Sequence, residues 1–223
     1  RVDAEQNLPV LDGLAVLVTQ DHVEIAVDVA LLAAGLGRRA ATLGVGDARM
    51  IDAGLIRVED ELARICKDPG CPGYGQGANC PPHVMKPGAF RALLRAFPQA
   101  LVFKYDVPTA VLLGDERFEV AGLVHETAVA LERQALVCGY AAARGFAGGS
   151  CRRIFCAAEK NCRVLAEDGV CRHPEAARPS ISGLGVNFLE LARVVGWPIN
   201  KITRDSDPAA IPMGLMAGIV LLA

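Results

Sequence analysis

Residues 86–107, KPGAFRALLRAFPQALVFKYDV, contain the clearest change of hydrophobic period in the chain. Apolar side chains recur three or four positions apart in the first half, which predicts an amphipathic helix. These side chains are Phe90, Leu93, Leu94 and Phe97. The second half, ALVFKYDV, is rich in residues that favour strands. The stretch therefore predicts a helix followed directly by a strand.

Similar units continue toward the C-terminus. Residues 122–145 predict a long helix and residues 184–197 a shorter one, because apolar residues follow a helical period in both. INKIT, residues 199–203, and AGIVLLA, residues 217–223, predict two more strands. Helices and strands alternate, which predicts an α/β or α+β fold. We expect one compact domain over residues 1–223, with a mixed sheet and two cysteine-rich metal-binding loops.

Glycines interrupt an Ala-rich segment, residues 22–56, which predicts two helices with a tight connection. Gly35, Gly37 and Ala40 match the G-x-G-x-x-A spacing of dinucleotide-binding proteins. That motif requires a strand immediately before the glycines, whereas the preceding DVALLAA has a helical pattern. We therefore interpret these glycines as a helix C-cap.

The composition is that of an ordinary globular protein. Of 223 residues, 52% are hydrophobic and 22% charged, and the formal net charge is −2, so nothing favours binding to nucleic acid or anionic membrane. The longest apolar run, IPMGLMAGIVLLA, has 13 residues, whereas roughly 20 are needed to span a bilayer. No signal-peptide pattern is visible, and we expect a cytoplasmic location.

The first cysteine-rich segment, residues 66–82, includes most of GCPGYGQGANCPPH, residues 70–83. Its glycines and prolines disfavour both helix and strand, so it predicts a loop that its cysteines hold in order. We call Cys66, Cys71 and Cys80 the first set; their spacing is C-x4-C-x8-C. Disulfides are disfavoured, because disulfide-dense folds are typically much shorter than this chain.

The second segment, residues 151–180, has the spacing C-x4-C-x5-C-x8-C. We call its cysteines the second set: Cys151, Cys156, Cys162 and Cys171. Gaps of this length let a loop wrap around a metal centre. The C-x4-C pairs are compatible with zinc, while the Cys80-Pro81 step and the nearby glycines favour an iron–sulfur cluster. The spacing alone leaves both metals open.

GCPGYGQGANCPPH and residues 147–188, which contain CRHPEAARPS, together resemble the predicted metal-binding proteins grouped as domain of unknown function 2284. The resemblance covers roughly residues 60 to 220, and CRHPEAARPS is its most specific part. It implies a cysteine-cluster protein, with iron–sulfur as the expected cofactor. The second set departs from the family's tight C-x2-C-x2-C beginning.

These observations lead to one interpretation and two alternatives. We expect an iron–sulfur protein, with one or two [4Fe–4S] clusters held by Cys66, Cys71, Cys80, Cys151, Cys156, Cys162 and Cys171. It would transfer electrons to a partner redox enzyme. The first alternative is a reductase or lyase with an open iron on the three-cysteine set. The second is a zinc-stabilised binding module. No hydrolase or nucleotide-triphosphate motif is present.

Seven cysteines are one ligand short of two four-iron clusters. The missing ligand of the first set could be Cys138, His83 or a residue of a partner protein. Alternatively, the first set has no fourth ligand. Cys138 lies on the apolar stripe of the predicted helix 122–145, so we interpret it as a core residue. His83 is predicted to be an exposed loop residue. Arg172 and His173 follow Cys171, where positive charge would stabilise a reduced cluster.

Two further pairs of residues have ordinary structural interpretations. His125 and Glu126 are predicted near the start of the long helix, in a capping or dipole role. As an alternative to a role beside a cluster, residues 172–180 could form a turn that begins a helix, with Arg178 paired to Glu175.

Overall fold

A computed structural model describes residues 14–19, 22–27, 29–166 and 169–223, and the side chains among these from residue 33 onward. The strands are β1 (Leu14–Thr19), β2 (His22–Val27), β3 (Asp47–Asp52), β4 (Gln99–Pro108), β5 (Ala143–Ala147) and β6 (Met213–Leu222). The helices are α1 (Val29–Thr42), α2 (Asp60–Arg64), α3 (Pro87–Leu94), α4 (Thr109–Leu113), α5 (Arg117–Cys138), α6 (Cys151–Phe155), α7 (Arg163–Ala166) and α8 (Phe188–Val194).

The main sheet has four strands in the order β3–β4–β6–β5, and each neighbouring pair is antiparallel. The predicted α+β fold is therefore confirmed, although the sheet is antiparallel instead of mixed. Phe103 on β4 lies opposite Gly218 on β6. A Cβ at Gly218 would lie 2.3 Å from Phe103 Cζ, so this glycine leaves room for the aromatic ring. β1 and β2 form a separate antiparallel pair.

Helices cover both faces of the main sheet because alternate side chains of its two central strands point to opposite sides. Val102 and Ile219 belong to one buried cluster, which also contains residues of α3 and α8. Leu101 and Val220 belong to the other, which contains residues of α1 and α5. Apart from Lys104 on β4, the buried residues of the two central strands are therefore mainly hydrophobic, which explains the continuous apolar run near the C-terminus.

The predicted long helix is present as α5, but it ends at Cys138, and residues 143–145, which were predicted to be helical, belong to β5. The apolar stripe of α5 is buried: Val124, Ala128, Leu131 and Ala135. Gly139 follows the helix with φ 106°, a left-handed conformation that glycine adopts without a side-chain clash and that commonly ends helices. The predicted helix–strand unit at residues 86–107 is also confirmed, as α3 and β4.

Two predictions of secondary structure are wrong. Residues 22–56 contain the strands β2 and β3 on either side of α1, not two helices. Gly35 and Gly37 lie inside α1, so they are neither a C-cap nor part of a strand-to-helix turn. Residues 199–203 contain no strand.

The two cysteine segments meet near the end of β5. Ala147, the last residue of β5, accepts a hydrogen bond from Ile181 N over 3.1 Å, and its own N–H donates to Pro179 O. Ser180 N donates to Asn79 O over 3.0 Å. The first cysteine loop is thereby attached to the segment that follows the second set, beside the sheet.

Candidate metal centre

The first cysteine segment, residues 66–82, contains neither an α-helix nor a strand. A π-helical turn, Cys66–Gly70, follows α2, and backbone hydrogen bonds then close successive turns. Gly75 has φ 73°, and its N–H donates to Pro81 O over 2.8 Å. Because glycine adopts this conformation without a steric penalty, the loop can fold back on itself here and bring its two ends together.

The three thiols of the first set lie close enough for their charges to interact. Burial raises the pKa of the Cys66 thiol to about 11, and the charges of Cys71 and Cys80 contribute to the rise. Burial also raises the pKa of Cys80. Cys80 is buried, Cys66 is half-buried and Cys71 is exposed. The set therefore extends from the interior of the protein to its surface.

The four thiols of the second set line one small, mainly apolar cavity, together with Phe155, Val164 and His173. Burial raises the pKa of Cys151 to about 11, and the charges of Cys171 and Cys162 raise it as well. Because each thiolate disfavours ionisation of its neighbours, a bound cation would relieve this repulsion. The cavity therefore has the chemistry of a metal-binding site.

The two sets adjoin each other at Cys80 and Cys151. The charge of Cys80 contributes to the raised pKa of Cys151, while Asn79, the residue before Cys80, donates a hydrogen bond from Nδ2 to Cys151 Sγ over 3.6 Å. Close packing of two glycines permits this approach. A Cβ at Gly73 would lie 2.9 Å from Ser150 Cβ, and one at Gly77 would lie 3.2 Å from Arg152 Cβ.

Hydrogen-bond donors and positive charges surround the thiols. Gly73 N lies 3.4 Å from Cys71 Sγ, and His173 N lies 3.4 Å from Cys171 Sγ, both as donors. The pKa of Cys156 is raised by burial, but the guanidinium groups of Arg152 and Arg172 oppose this rise. Such N–H donors and cations stabilise thiolates and the metal centres that thiolates bind.

Across the described residues, no three His, Cys, Asp or Glu side chains converge on a point where one metal ion could be held. The thiols of the second set instead surround a cavity. Ser150 lies beside them, where its hydroxyl lowers the pKa of Cys80. The same Oγ is buried and has no hydrogen-bond partner of good geometry.

Cys138 and His83, the candidate fourth ligands of the first set, lie apart from the cavity of the second set. Cys138 is half-buried at the end of α5, where Gln134 Nε2 donates to its Sγ over 3.3 Å. A Cβ at Gly35 of α1 would lie 3.0 Å from that sulfur, so Cys138 fills space between the two helices. His83 is exposed. These positions agree with the core and loop roles that the sequence predicts.

Arg172 and His173 are close to the second set, as predicted. Both line its cavity, and Arg172 donates to Asn161 O over 3.2 Å and lies 3.4 Å from a carboxylate oxygen of Glu159. The predicted Arg178–Glu175 pair is wrong. Arg178 Nε instead donates to Glu132 Oε2 on α5 over 2.7 Å, because this pairing also satisfies a partly buried carboxylate.

Two contributors to the site are missed by the sequence analysis. Asn79 contacts a thiol 72 positions away, and the only local sign of its role is that it precedes Cys80. Arg152 directly follows Cys151, so proximity along the chain could have indicated it, as it did for Arg172.

The predicted capping role of His125 and Glu126 is wrong. The helix begins eight residues earlier than His125, at Arg117, and His125 is wholly buried within it. Its Nδ1 accepts a hydrogen bond from Arg178 N over 3.0 Å, whereas Nε2 has no partner. The ring packs edge-on against Phe155, which in turn lies against His173. These rings connect α5 to the second cavity.

Burial, with a smaller effect of the Arg178 charge, lowers the pKa of His125 from 6.5 to about 4. The unfolded chain therefore takes up a proton below pH 6.5 while the folded chain does not, and stability falls as the pH falls from 6.5 to 4. We expect wild type to lose on the order of 3 kcal/mol more than His125→Asn over this range. Urea unfolding at several pH values measures the difference.

The matched control is His83→Asn, which replaces the exposed loop histidine and should follow the wild-type curve. Subtracting the His125→Asn curve from the wild-type curve removes the contribution of carboxyl groups that titrate in the same range, which wild type and variants share. Identical pH dependence in wild type and His125→Asn would show that His125 ionises as easily in the folded chain as in the unfolded one.

None of the helices in the described part of the chain is long and apolar enough to cross a membrane. Comparison with known proteins found a match to one family model, described as predicted metal-binding protein of domain of unknown function 2284, over residues 49–222. No curated protein and no solved structure matches the chain. The matched range contains both cysteine sets and most of the main sheet, and the chain therefore belongs to this family of predicted metal-binding proteins.

Proposed function

We propose that this protein binds iron–sulfur clusters of the [4Fe–4S] type and transfers electrons to a partner redox enzyme. The observation that carries the proposal is the single cavity lined by all four thiols of the second set. The proposed ligands are the seven cysteines of the two sets. We propose further that residues 1–223 act as one metal-binding domain in the cytoplasm, where a reducing environment keeps thiols free.

The residues around the second set fit such a cofactor. Four cysteine thiolates are the usual ligands of a [4Fe–4S] cluster, and the thiols here surround a cavity instead of converging on one point. A single zinc ion would need its sulfur ligands about 2.3 Å away in a tetrahedron. Phe155 and Val164 supply apolar walls, which limit access of water to the site.

A cluster bound there would supply a redox centre whose potential depends on nearby hydrogen bonds, charge and solvent exposure. The chain supplies each of these. Asn79 Nδ2 and His173 N donate to thiol sulfurs, and Arg152 and Arg172 place positive charge beside Cys156. These groups would favour the more negative, reduced state.

The arrangement of the two sets supports electron transfer. Cys80 and Cys151 lie close enough for their charges to interact, so centres on the two sets would be neighbours. Cys71, at the other end of the first set, is exposed. A partner could therefore approach the first set from the solvent while the second set stays partly buried.

The alternative of a reductase or lyase is favoured by one observation. Cys66 and Cys71 line a groove with Leu62, Phe188 and Leu189, in which the solvent-accessible surface is mainly apolar. A centre with only three cysteine ligands could use its remaining position to bind a substrate lying in that groove. The zinc-stabilised binding module differs from both proposals in its metal content.

Metal and sulfide analysis tests the proposal. Protein produced and purified without oxygen should be brown and should contain iron together with acid-labile sulfide, because thiolates of this number and spacing bind clusters. Mass spectrometry under non-reducing conditions should detect no disulfide in it. Stoichiometric zinc without sulfide would reject the iron–sulfur proposal and support the zinc module.

A further inference from the structure

We infer that the concave surface between α5 and α6 binds the carboxylate or phosphate group of a small organic anion. This cavity has a volume of about 520 Å³, within the roughly 300–1,000 Å³ typical of small-molecule sites. Arg152 and Arg153 line it together with Phe118, Gln76 and Pro72. The inference goes beyond the proposed redox role and does not depend on which metal the cysteines bind.

Uncharged groups position the arginines around this cavity. Arg117 Nη1 donates to Leu113 O over 3.3 Å and to Gly114 O, and Arg152 Nη2 donates to Glu159 O. A guanidinium held by carbonyl oxygens keeps its full positive charge, and its remaining N–H groups stay free for a ligand.

Phe118 fixes two of the guanidinium groups by cation–π contact. Arg117 Cζ lies 4.4 Å from the centre of its ring, and Arg153 Cζ lies 4.7 Å from it. The ring thus supports Arg153, which lines the first cavity, and Arg117, which lines a smaller adjoining one. Their fixed positions reduce the entropy lost when an anion binds.

The cavity has an excess of positive charge. Within the described residues, neither Arg152 nor Arg153 has a carboxylate at salt-bridge distance. Asp115, the one carboxylate among the described residues that line the cavity, lies 3.7 Å from Arg117 and has 94% of its side chain exposed. Solvent weakens such a pair, so it leaves most of the positive potential available to a ligand.

A second cavity adjoins the first and indicates the chemical character of the part of the ligand beyond its anionic group. It shares Pro72, Phe118 and Arg153 with the first, has a volume of about 180 Å³ and is mainly apolar. Cys71 and Ser150 line it. The buried Ser150 Oγ has no hydrogen-bond partner of good geometry and could accept one from a ligand.

Together, the two cavities favour a small organic anion over an acidic protein surface. An anionic group held by the arginines would leave an apolar portion to occupy the second cavity, beside Cys71. A concave site of this volume accommodates a small molecule, whereas a protein partner would meet a broader surface.

Calorimetric titration of the full-length, metal-loaded protein tests the inference with phenyl phosphate as the probe. We expect one site per chain and at least tenfold tighter binding than for inorganic phosphate, because the phenyl ring adds apolar contact. Arg153→Gln should weaken phenyl phosphate binding at least tenfold, and Arg153→Lys should weaken it less because it keeps the charge. Titration of potassium chloride at matched ionic strength into the protein corrects the measured heats for non-specific effects of salt.

The matched control is Arg193→Gln, an arginine on α8 whose side chain is 71% exposed and pairs with Glu190. It should bind phenyl phosphate as wild type does. Equal affinity of wild type and Arg153→Gln, or no saturable heat above the chloride titration, would overturn the inference. Equal affinity for phenyl phosphate and inorganic phosphate would overturn the assignment of an organic ligand. Iron and sulfide analysis of the same samples tests the redox proposal separately.

Discussion

Replacing Cys151 with alanine should empty the second cysteine set of metal and reduce metal binding by the first. Cys151 is half-buried, lines the cavity of the second set and interacts electrostatically with Cys80 of the first. Loss of its thiolate removes one of the four proposed ligands of the second set, and the free energy of metal binding falls with it. Iron, zinc and sulfide per chain after anaerobic purification measure the effect.

Variants elsewhere in the two sets separate the centres. Cys66→Ala should lower the metal content of the first set and leave the second loaded, because Cys66 interacts only with first-set thiols among the groups that determine its pKa. Cys171→Ala should lower the metal content of the second set and leave the first set loaded. Full metal content in Cys151→Ala would remove this residue from the proposed ligands.

Cys138→Ala is the matched control, since it removes a half-buried cysteine that lies between α1 and α5. It should keep the wild-type metal content and lose on the order of 1 kcal/mol of unfolding free energy from a small cavity. Loss of metal from the first set would instead identify Cys138 as a fourth ligand. Electron transfer would then be favoured over the open-iron alternative.

Local periodicity was sufficient to predict α3, β4 and α5, because each has an apolar pattern that its own sequence defines. β3 was not predictable in this way. Its sequence, DARMID, has polar residues at both ends, and its extended form depends on pairing with β4, about 50 residues later in the chain. Long-range pairing also determines that every strand pair of the main sheet is antiparallel.

The cysteines of the candidate site could be predicted from the sequence, because thiols at these spacings indicate metal binding by themselves. Their surroundings could not. The contact between Asn79 and Cys151 joins two segments that only the folded sheet brings together. His125 was assigned to a helix start because the preceding LLGDERFEV has no clear helical period, although α5 begins within it.

Gly185→Ala should strongly destabilise the protein although it leaves every cysteine unchanged. Gly185 has φ 81°, and a Cβ there would lie 2.4 Å from the backbone oxygen of Glu59. The same two residues are joined by a hydrogen bond from Glu59 N to Gly185 O over 2.7 Å. Backbone atoms cannot move aside as a flexible side chain can, so the two segments must separate.

This separation should also affect the first cysteine set. Glu59 directly precedes α2, which leads into the turn containing Cys66, and Val58 pairs with Val186 in a β-bridge. We expect Gly185→Ala to lose roughly 3 kcal/mol or more of unfolding free energy. Metal content of the first set should fall with it, while the second set, held by other contacts, should be less affected.

Gly44→Ala provides the matched control, because Gly44 has a similar φ of 72° but no atom lies within 4 Å of the position that an alanine Cβ would occupy. Its unfolding free energy should fall only by the cost of placing alanine in a left-handed conformation, roughly 1–2 kcal/mol, and it should keep its metal. Urea unfolding of both variants measures the two costs. The additional loss of unfolding free energy in Gly185→Ala measures the effect of the contact with Glu59. Equal losses in the two variants would contradict close packing of residues 57–59 against residues 185–187.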